Sequence, residues 1–206
     1  MTIVTPSADR RVRIVGVLLA AVVVGVLFGV ADLIGQLALP DPWFEIANSM
    51  AVWAVSAFLF GRAVGTGIAT AAVSGALMLT VAVEAYYLAA ALALNDNIGN
   101  LTSRSTVIWI VLGVVAGAGF GAAGAVSRRP ETLYAAPAAA LGASVLFAEG
   151  IVLREGWSVL IDVVLGVLVL ALSVTGTKRW LLAGAASVPL TAFVVFAFDA
   201  LGFGVS

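Results

Sequence analysis

The chain is written in long apolar runs separated by short polar punctuation. The runs cover about residues 14–39, 46–61, 66–93, 106–126, 134–152, 157–175 and 180–202. A helix needs roughly 20 mainly apolar residues to cross the hydrocarbon core of a bilayer, and this pattern predicts seven crossings. The breaks carry turn chemistry. Pro40-Asp41-Pro42 closes the first run, Gly61-Arg62 to Gly67 the second, and Asn95-Asp96-Asn97-Ile98-Gly99-Asn100 the third. Arg128-Arg129-Pro130, Arg154-Glu155-Gly156 and Thr175-Gly176-Thr177-Lys178-Arg179 mark the other three. Merging the last two runs into one buried hairpin, or a break at Pro137, gives six crossings instead.

The expected fold class is therefore an all-α polytopic transmembrane helix bundle of about seven spans. A polar tail, residues 1–13, precedes a single transmembrane helical domain over residues 14–204. The tail ends in Arg10-Arg11-Val12-Arg13, which also suits a secretory or twin-arginine signal. The run behind it is too long for a signal core and shows no small-residue cleavage pattern before Pro40, so the first span is read as uncleaved.

Charge sets the expected orientation. With the N-terminus inside, Arg10, Arg11, Arg13, Arg62, Arg128, Arg129, Lys178 and Arg179 fall on the cytoplasmic side. Only Arg104 and Arg154 fall outside. This asymmetry follows the positive-inside rule and puts the C-terminus outside.

Composition narrows the function classes. Of 206 residues, 63% are hydrophobic and 10% charged, against roughly 45–50% apolar in soluble domains. The lipid bilayer is the expected surroundings. A net charge of −1 offers no basic field, so nucleic acid is not an expected partner. The absence of Cys and His removes disulfides, thiolate and imidazole metal sites, and Cys/His or Ser/His nucleophile pairs. The sole lysine, Lys178, lies in a loop and cannot form a buried Schiff base. No catalytic residue and no cofactor is expected.

The acids carry the candidate chemistry. Glu84 sits inside the apolar stretch Gly75 to Leu92, where a central carboxylate costs about 2.5–3.5 kcal/mol on insertion scales. Asp32, Glu45, Glu149, Asp162 and Asp199 all fall with it on the expected outer side. Gly25, Gly29, Asp32 and Gln36 share one face of the first span. Glu45, Asn48, Ser49 and Ser56 lie on one side of the second, Thr80, Glu84 and Tyr87 on the third, and Ser158, Asp162 and Gly166 on the sixth. These stripes are expected to converge on an outward-facing acidic cavity for a cation or small cationic solute. Its candidate ligand-binding residues are Glu84, Glu149, Asp162, Asp32, Asn48, Gln36 and Tyr87. Were it to hold a metal, Glu84, Glu149 and Asp162 would be the ligands, since an all-oxygen set suits hard ions. Protons, or an organic amine held by neighbouring aromatics, fit equally. The plainer alternatives stay open: acids at a membrane edge can simply be solvated, and a neutral acid can serve as an interhelical hydrogen-bond donor.

The fourth span reads Gly113-Val-Val-Ala-Gly117-Ala-Gly119-Phe-Gly121-Ala-Ala-Gly124. A small-xxx-small face of this kind lets backbones approach closely. Packing within the bundle is its ordinary use; docking of a membrane protein partner is the other. Spans 1–3 and 5–7 share an expected orientation and carry acids, the pattern of parallel repeats, although their side chains do not align.

Ala47-Asn48-Ser49-Met50-Ala51-Val52-Trp53, Glu84-Ala85-Tyr86-Tyr87, Gly117 to Gly124 and Ala148-Glu149-Gly150 resemble a family of small polytopic membrane proteins of high-GC Gram-positive bacteria, a domain of unknown function. The resemblance runs from the first span to the fifth and implies a bacterial plasma-membrane protein, with no activity attached. Two functions are expected on these grounds. One is a transporter or binding protein for a cation or small cationic solute; the alternative is a non-catalytic subunit of a larger membrane complex, for substrate capture or scaffolding.

Overall fold

A computed structural model describes residues 8–65 and 67–203. Eight α-helices are found among them: α1 (Ala8–Ala38), α2 (Trp43–Ala47), α3 (Met50–Ala63), α4 (Ile68–Leu94), α5 (Arg104–Ser127), α6 (Ala135–Val152), α7 (Trp157–Ser173) and α8 (Thr177–Ala200). A 3₁₀ turn, Ile98–Thr102, links α4 to α5. The first seven residues of the expected tail, the expected start of the third span at residue 66, and residue 204 lie outside the described residues.

Helices α1, α4, α5, α6 and α8 are long and apolar enough to cross a membrane. The apolar helices α3 and α7 are shorter, at 14 and 17 residues. They extend about 21 and 26 Å at 1.5 Å per residue, less than a hydrocarbon core of roughly 30 Å. The short α3 corrects the expected span 46–61. The run is broken at Asn48-Ser49, where fully buried Ser49 takes an extended backbone and its Oγ accepts the Val52 N–H at 3.0 Å. A serine N-cap satisfies one of the four amide donors that a helix start leaves without partners. Glu45 is thereby assigned to the separate helix α2.

Other boundaries also move for local reasons. Helix α1 begins at Ala8, so Arg10, Arg11 and Arg13 are helical rather than part of an irregular tail, and Arg13 donates to the Gly65 carbonyl at 2.9 Å. Pro137 does not break α6, because it is the third residue of that helix, where no intrahelical donor is required. The last two runs form separate helices, α7 and α8, both packed on α6.

Helix α4 packs along α1 and α5, and α3 lies against α5 and α4. Helix α6 carries α7 and α8 and meets the first group through α5 and α3. The hub is the third span of the first half but the first span of the second, so the packing does not repeat. Core positions are dominated by alanine, with Phe58, Met78 and Leu146 as the larger buried side chains. Large apolar residues such as Leu19, Leu27, Val115 and Leu172 point outward and are mostly exposed. That is the arrangement expected where lipid, not water, surrounds the bundle.

Small residues permit the close approach. A Cβ on Gly117 would overlap the Gly75 carbonyl oxygen, and one on Gly121 would meet the carbonyl of Ala71. Gly113, Gly117, Gly121 and Gly124 are therefore already covered by α3 and α4 of the same chain, which leaves exposed Gly119 as the open member of the stripe proposed for partner docking.

The apolar helices α1, α3, α4, α5, α6, α7 and α8 alternate in direction along the chain, which gives the bundle two chemically distinct ends. Arg62 joins one end by donating to Ser127 Oγ at 2.9 Å and to the Leu172 carbonyl at 3.2 Å. This basic end also holds Arg13, Arg128 and Arg179. The opposite, acidic end holds α2, the start of α3, and the loop between α6 and α7.

Candidate functional site

The acidic end is organised around Arg154. This residue lies in the four-residue connection between α6 and α7, which Gly156 turns with φ of 58°, a left-handed conformation that favours glycine. The reversal folds Arg154 back between the helices, and its side chain is only 9% exposed.

Its guanidinium meets three carboxylates from three helices. Nη2 donates to Glu149 Oε1 of α6 in a close ion pair and to the Glu45 carbonyl at 2.8 Å. Nη1 stands 3.5 Å from Glu45 Oε2 of α2, and Nε stands 3.5 Å from Asp162 Oδ2 of α7. Planar guanidinium, with donors fixed in a fork, is suited to several acceptors at once. Glu149 is 1% exposed and Asp162 fully buried, whereas Glu45 is 30% exposed.

The partners of these acids differ. Glu149 Oε2 accepts the Ala51 N–H at 2.6 Å. Ala51 is the second residue of α3, so a carboxylate from α6 occupies the positive end of that helix, where a negative charge is favoured. Ser158 Oγ donates to Glu45 Oε2 at 2.6 Å. Among the described residues Asp162 has no such donor: both of its oxygens, and Arg154 Nε, are buried without a hydrogen-bond partner. Three carboxylates against one guanidinium leave two formal negative charges without a cation.

A second polar cluster forms between α1, α3 and α4. Asp32, 7% exposed, accepts from Trp53 Nε1 at 3.0 Å and from Gln36 Nε2 at 2.7 Å. Tyr86 OH donates to Gln36 Oε1 at 3.2 Å. The face expected from Gly25, Gly29, Asp32 and Gln36 is present, for a Cβ on Gly29 would overlap the Ala82 carbonyl of α4. Among the described residues Asp32 has no ion-pair partner, and two neutral donors serve its oxygens.

The expected convergence is thus divided. Glu149 and Asp162 meet at Arg154; Asp32 and Gln36 meet at Trp53. Glu84 is half-buried on α4, and among the described residues it has neither an ion pair nor a side-chain hydrogen bond. Helix α4 packs on α1, α5 and α3 rather than on α6 and α7, which separates Glu84 from the other two suggested metal ligands. No group of three or more acids among the described residues could hold a metal ion. Tyr87 packs edge-on against Tyr86, with ring centroids 5.4 Å apart. Asn48 is exposed at the end of α2, and Asp199 is exposed near the end of α8.

Sequence reasoning took Arg154 as one of two outer arginines, with Arg104, near enough to pair with the acids, and left Arg154, Glu45 and Ser158 outside the candidate set. The signal available was spacing. Arg154 follows Glu149 by five residues and precedes Asp162 by eight across a tight loop, which brings a long side chain within reach of both. Nothing in the local pattern marked Trp53 as the partner of Asp32, because the two are on different helices.

A family model described as a family of unknown function (DUF6518) matches residues 8–202. No curated protein and no solved structure matches the chain.

Proposed function

Because the chain belongs to this family of unknown function, membership brings no activity with it, and we propose from the geometry that the protein is a membrane transporter or binding protein for a cation or small cationic solute. The observation that carries this reading is the charge ratio at Arg154. Two formal negative charges are left over in a buried site, and Asp162 keeps both oxygens without a donor. Buried like charges of this kind demand compensation by protons or by a further cation. A small cation entering beside Asp162 supplies it, with Arg154 as the fixed counterion and Glu45, the most exposed of the three acids, at the entrance.

The reading includes a topology. All seven apolar helices, the five long ones and the shorter α3 and α7, cross the plasma membrane of a high-GC Gram-positive bacterium, with the basic end in the cytoplasm and the acidic end outside. The short α3 is completed at that outer end by α2. The positive-inside rule supports this orientation.

The test is a thermal-shift screen on detergent-purified protein against divalent ions, a proton series and small organic amines. A saturable rise in melting temperature that Asp162→Asn removes supports the reading. No response to any of these ligands overturns it, and a stoichiometric co-purifying partner would then place the chain as a non-catalytic subunit.

A further inference from the structure

The basic end contains a cleft of about 170 Å³ where the ends of α3, α5 and α7 meet the starts of α6 and α8. That is many times the ~10–15 Å³ a single bound water requires. Three guanidinium-bearing residues line it: Arg62, Arg128 and Arg179. Like charges gathered around one concavity oppose one another unless an anion joins them. Every ion pair among the described residues is made by Arg154 at the other end of the bundle, so none of these three arginines has a carboxylate partner there.

Two of the arginines are held in place by neutral groups. Arg62 donates to Ser127 Oγ and to the Leu172 carbonyl, and Arg128 Nη1 donates to the Arg62 carbonyl at 2.8 Å. Arg179 makes no side-chain hydrogen bond among the described residues and is the free charge of the set. A second, independent feature borders the same space. Ser173, at the end of α7, lines the cleft and is 8% exposed, and its hydroxyl is buried without a hydrogen-bond partner. Buried hydroxyls are normally satisfied, and one left alone marks a place where a partner is missing. The first residues of α6, Ala135 and Ala136, also line the cleft, which adds the positive end of a helix to the same field.

We propose that this cleft binds a phosphate group, held by Arg62, Arg128 and Arg179 and by the Ser173 hydroxyl. Guanidinium forks match tetrahedral oxyanions bidentately, a hydroxyl supplies one further donor, and a monovalent halide would leave most of these donors unused. The group is either that of an anionic lipid headgroup at the membrane boundary or that of a free phosphate. The site lies at the opposite end of the bundle from Arg154 and does not depend on the cation reading.

The test uses the full chain purified in a neutral detergent, with melting temperature followed at constant ionic strength set by chloride. One arm titrates inorganic phosphate; the other compares nanodiscs of phosphatidylglycerol with nanodiscs of phosphatidylcholine. Arg179→Gln is the main variant, because it removes charge without removing a side-chain hydrogen bond or ion pair among the described residues. Ser173→Ala is the second, and Lys178→Gln, outside the cleft, is the control. Saturable stabilisation by phosphate, weakened about tenfold or more by Arg179→Gln and by less in Lys178→Gln, establishes the site with a free phosphate group as its source. Stabilisation by phosphatidylglycerol alone, with the same dependence on Arg179 and Ser173, establishes it as a lipid-headgroup site. Absence of stabilisation in both arms overturns the proposal, and so does a response that Arg179→Gln and Lys178→Gln weaken equally.

Discussion

Replacing Arg154 by glutamine removes the cation that three carboxylates share and leaves a shorter, neutral polar side chain. The substitution deletes the ion pairs to Glu149, Glu45 and Asp162 and the donation to the Glu45 carbonyl. These contacts do not contribute equally. Glu45 is 30% exposed, and an exposed pair is worth at most about 1 kcal/mol. Glu149 and Asp162 are shielded from water, and leaving a buried charge without its partner costs about 3–5 kcal/mol. The expected loss for Arg154→Gln is therefore about 3–5 kcal/mol, a large share of the ~5–15 kcal/mol that holds a typical protein folded. Arg154→Lys should lie between, since an ammonium keeps the charge but not the fork. The assay is reversible denaturant unfolding in mild detergent, followed by tryptophan fluorescence. A double-mutant cycle with Asp162→Asn separates the pair from other effects. The double variant should lose less than the sum of the singles, with a coupling of about 1–3 kcal/mol. A loss below about 1 kcal/mol for Arg154→Gln, or strict additivity, would refute the claim that one arginine holds this end together.

Gly117→Val should destabilise the bundle by about 1–3 kcal/mol or more, since its Cβ meets the backbone of Gly75 and overpacking of close contacts costs in that range; the same substitution at exposed Gly119, with nothing within 4 Å of its Cβ, should cost far less in the same unfolding assay. The chain has no cysteine, so single cysteines at Asp96 and Thr177 report topology directly. A membrane-impermeant maleimide applied to intact cells should label Asp96→Cys and not Thr177→Cys, and the reverse pattern would invert the orientation.

The division of the acids shows where pattern reading stops. Asp32 and Gln36 could be placed on one face because both lie four residues apart on a continuous helix, and the structure gives that pair a 2.7 Å hydrogen bond. Thr80, Glu84 and Tyr87 were placed by the same rule, and all three are half-buried on α4. Periodicity fixes the face of a helix but not the neighbour that covers it. Glu84 and Glu149 were grouped by depth alone, and depth does not distinguish a helix packed on α1 from one packed on α7. Proximity in sequence was the better guide for Arg154, Glu149 and Asp162, because a four-residue loop leaves the flanking helix ends little choice of partner. The cleft at the basic end illustrates the same limit. Arg62, Arg128 and Arg179 are legible as part of one clustered charge excess, yet nothing in their separate loops announces that Ser173 stands among them.

What the sequence determined by itself is the membrane-type helical bundle, the approximate extent of its apolar helices and the gathering of most basic residues at one end. These follow from one-dimensional quantities: the length of apolar runs against bilayer thickness, and the cost of placing charge in hydrocarbon. What only the tertiary structure decided is which charges meet. Only the tertiary structure brings Glu149 of α6 to the Ala51 amide at the start of α3, and the division of the acids depends on which glycine faces allow α1, α3, α4 and α5 to close on one another. Contacts between helices distant in the chain are set by shape complementarity among several surfaces at once, and no single stretch of residues encodes them.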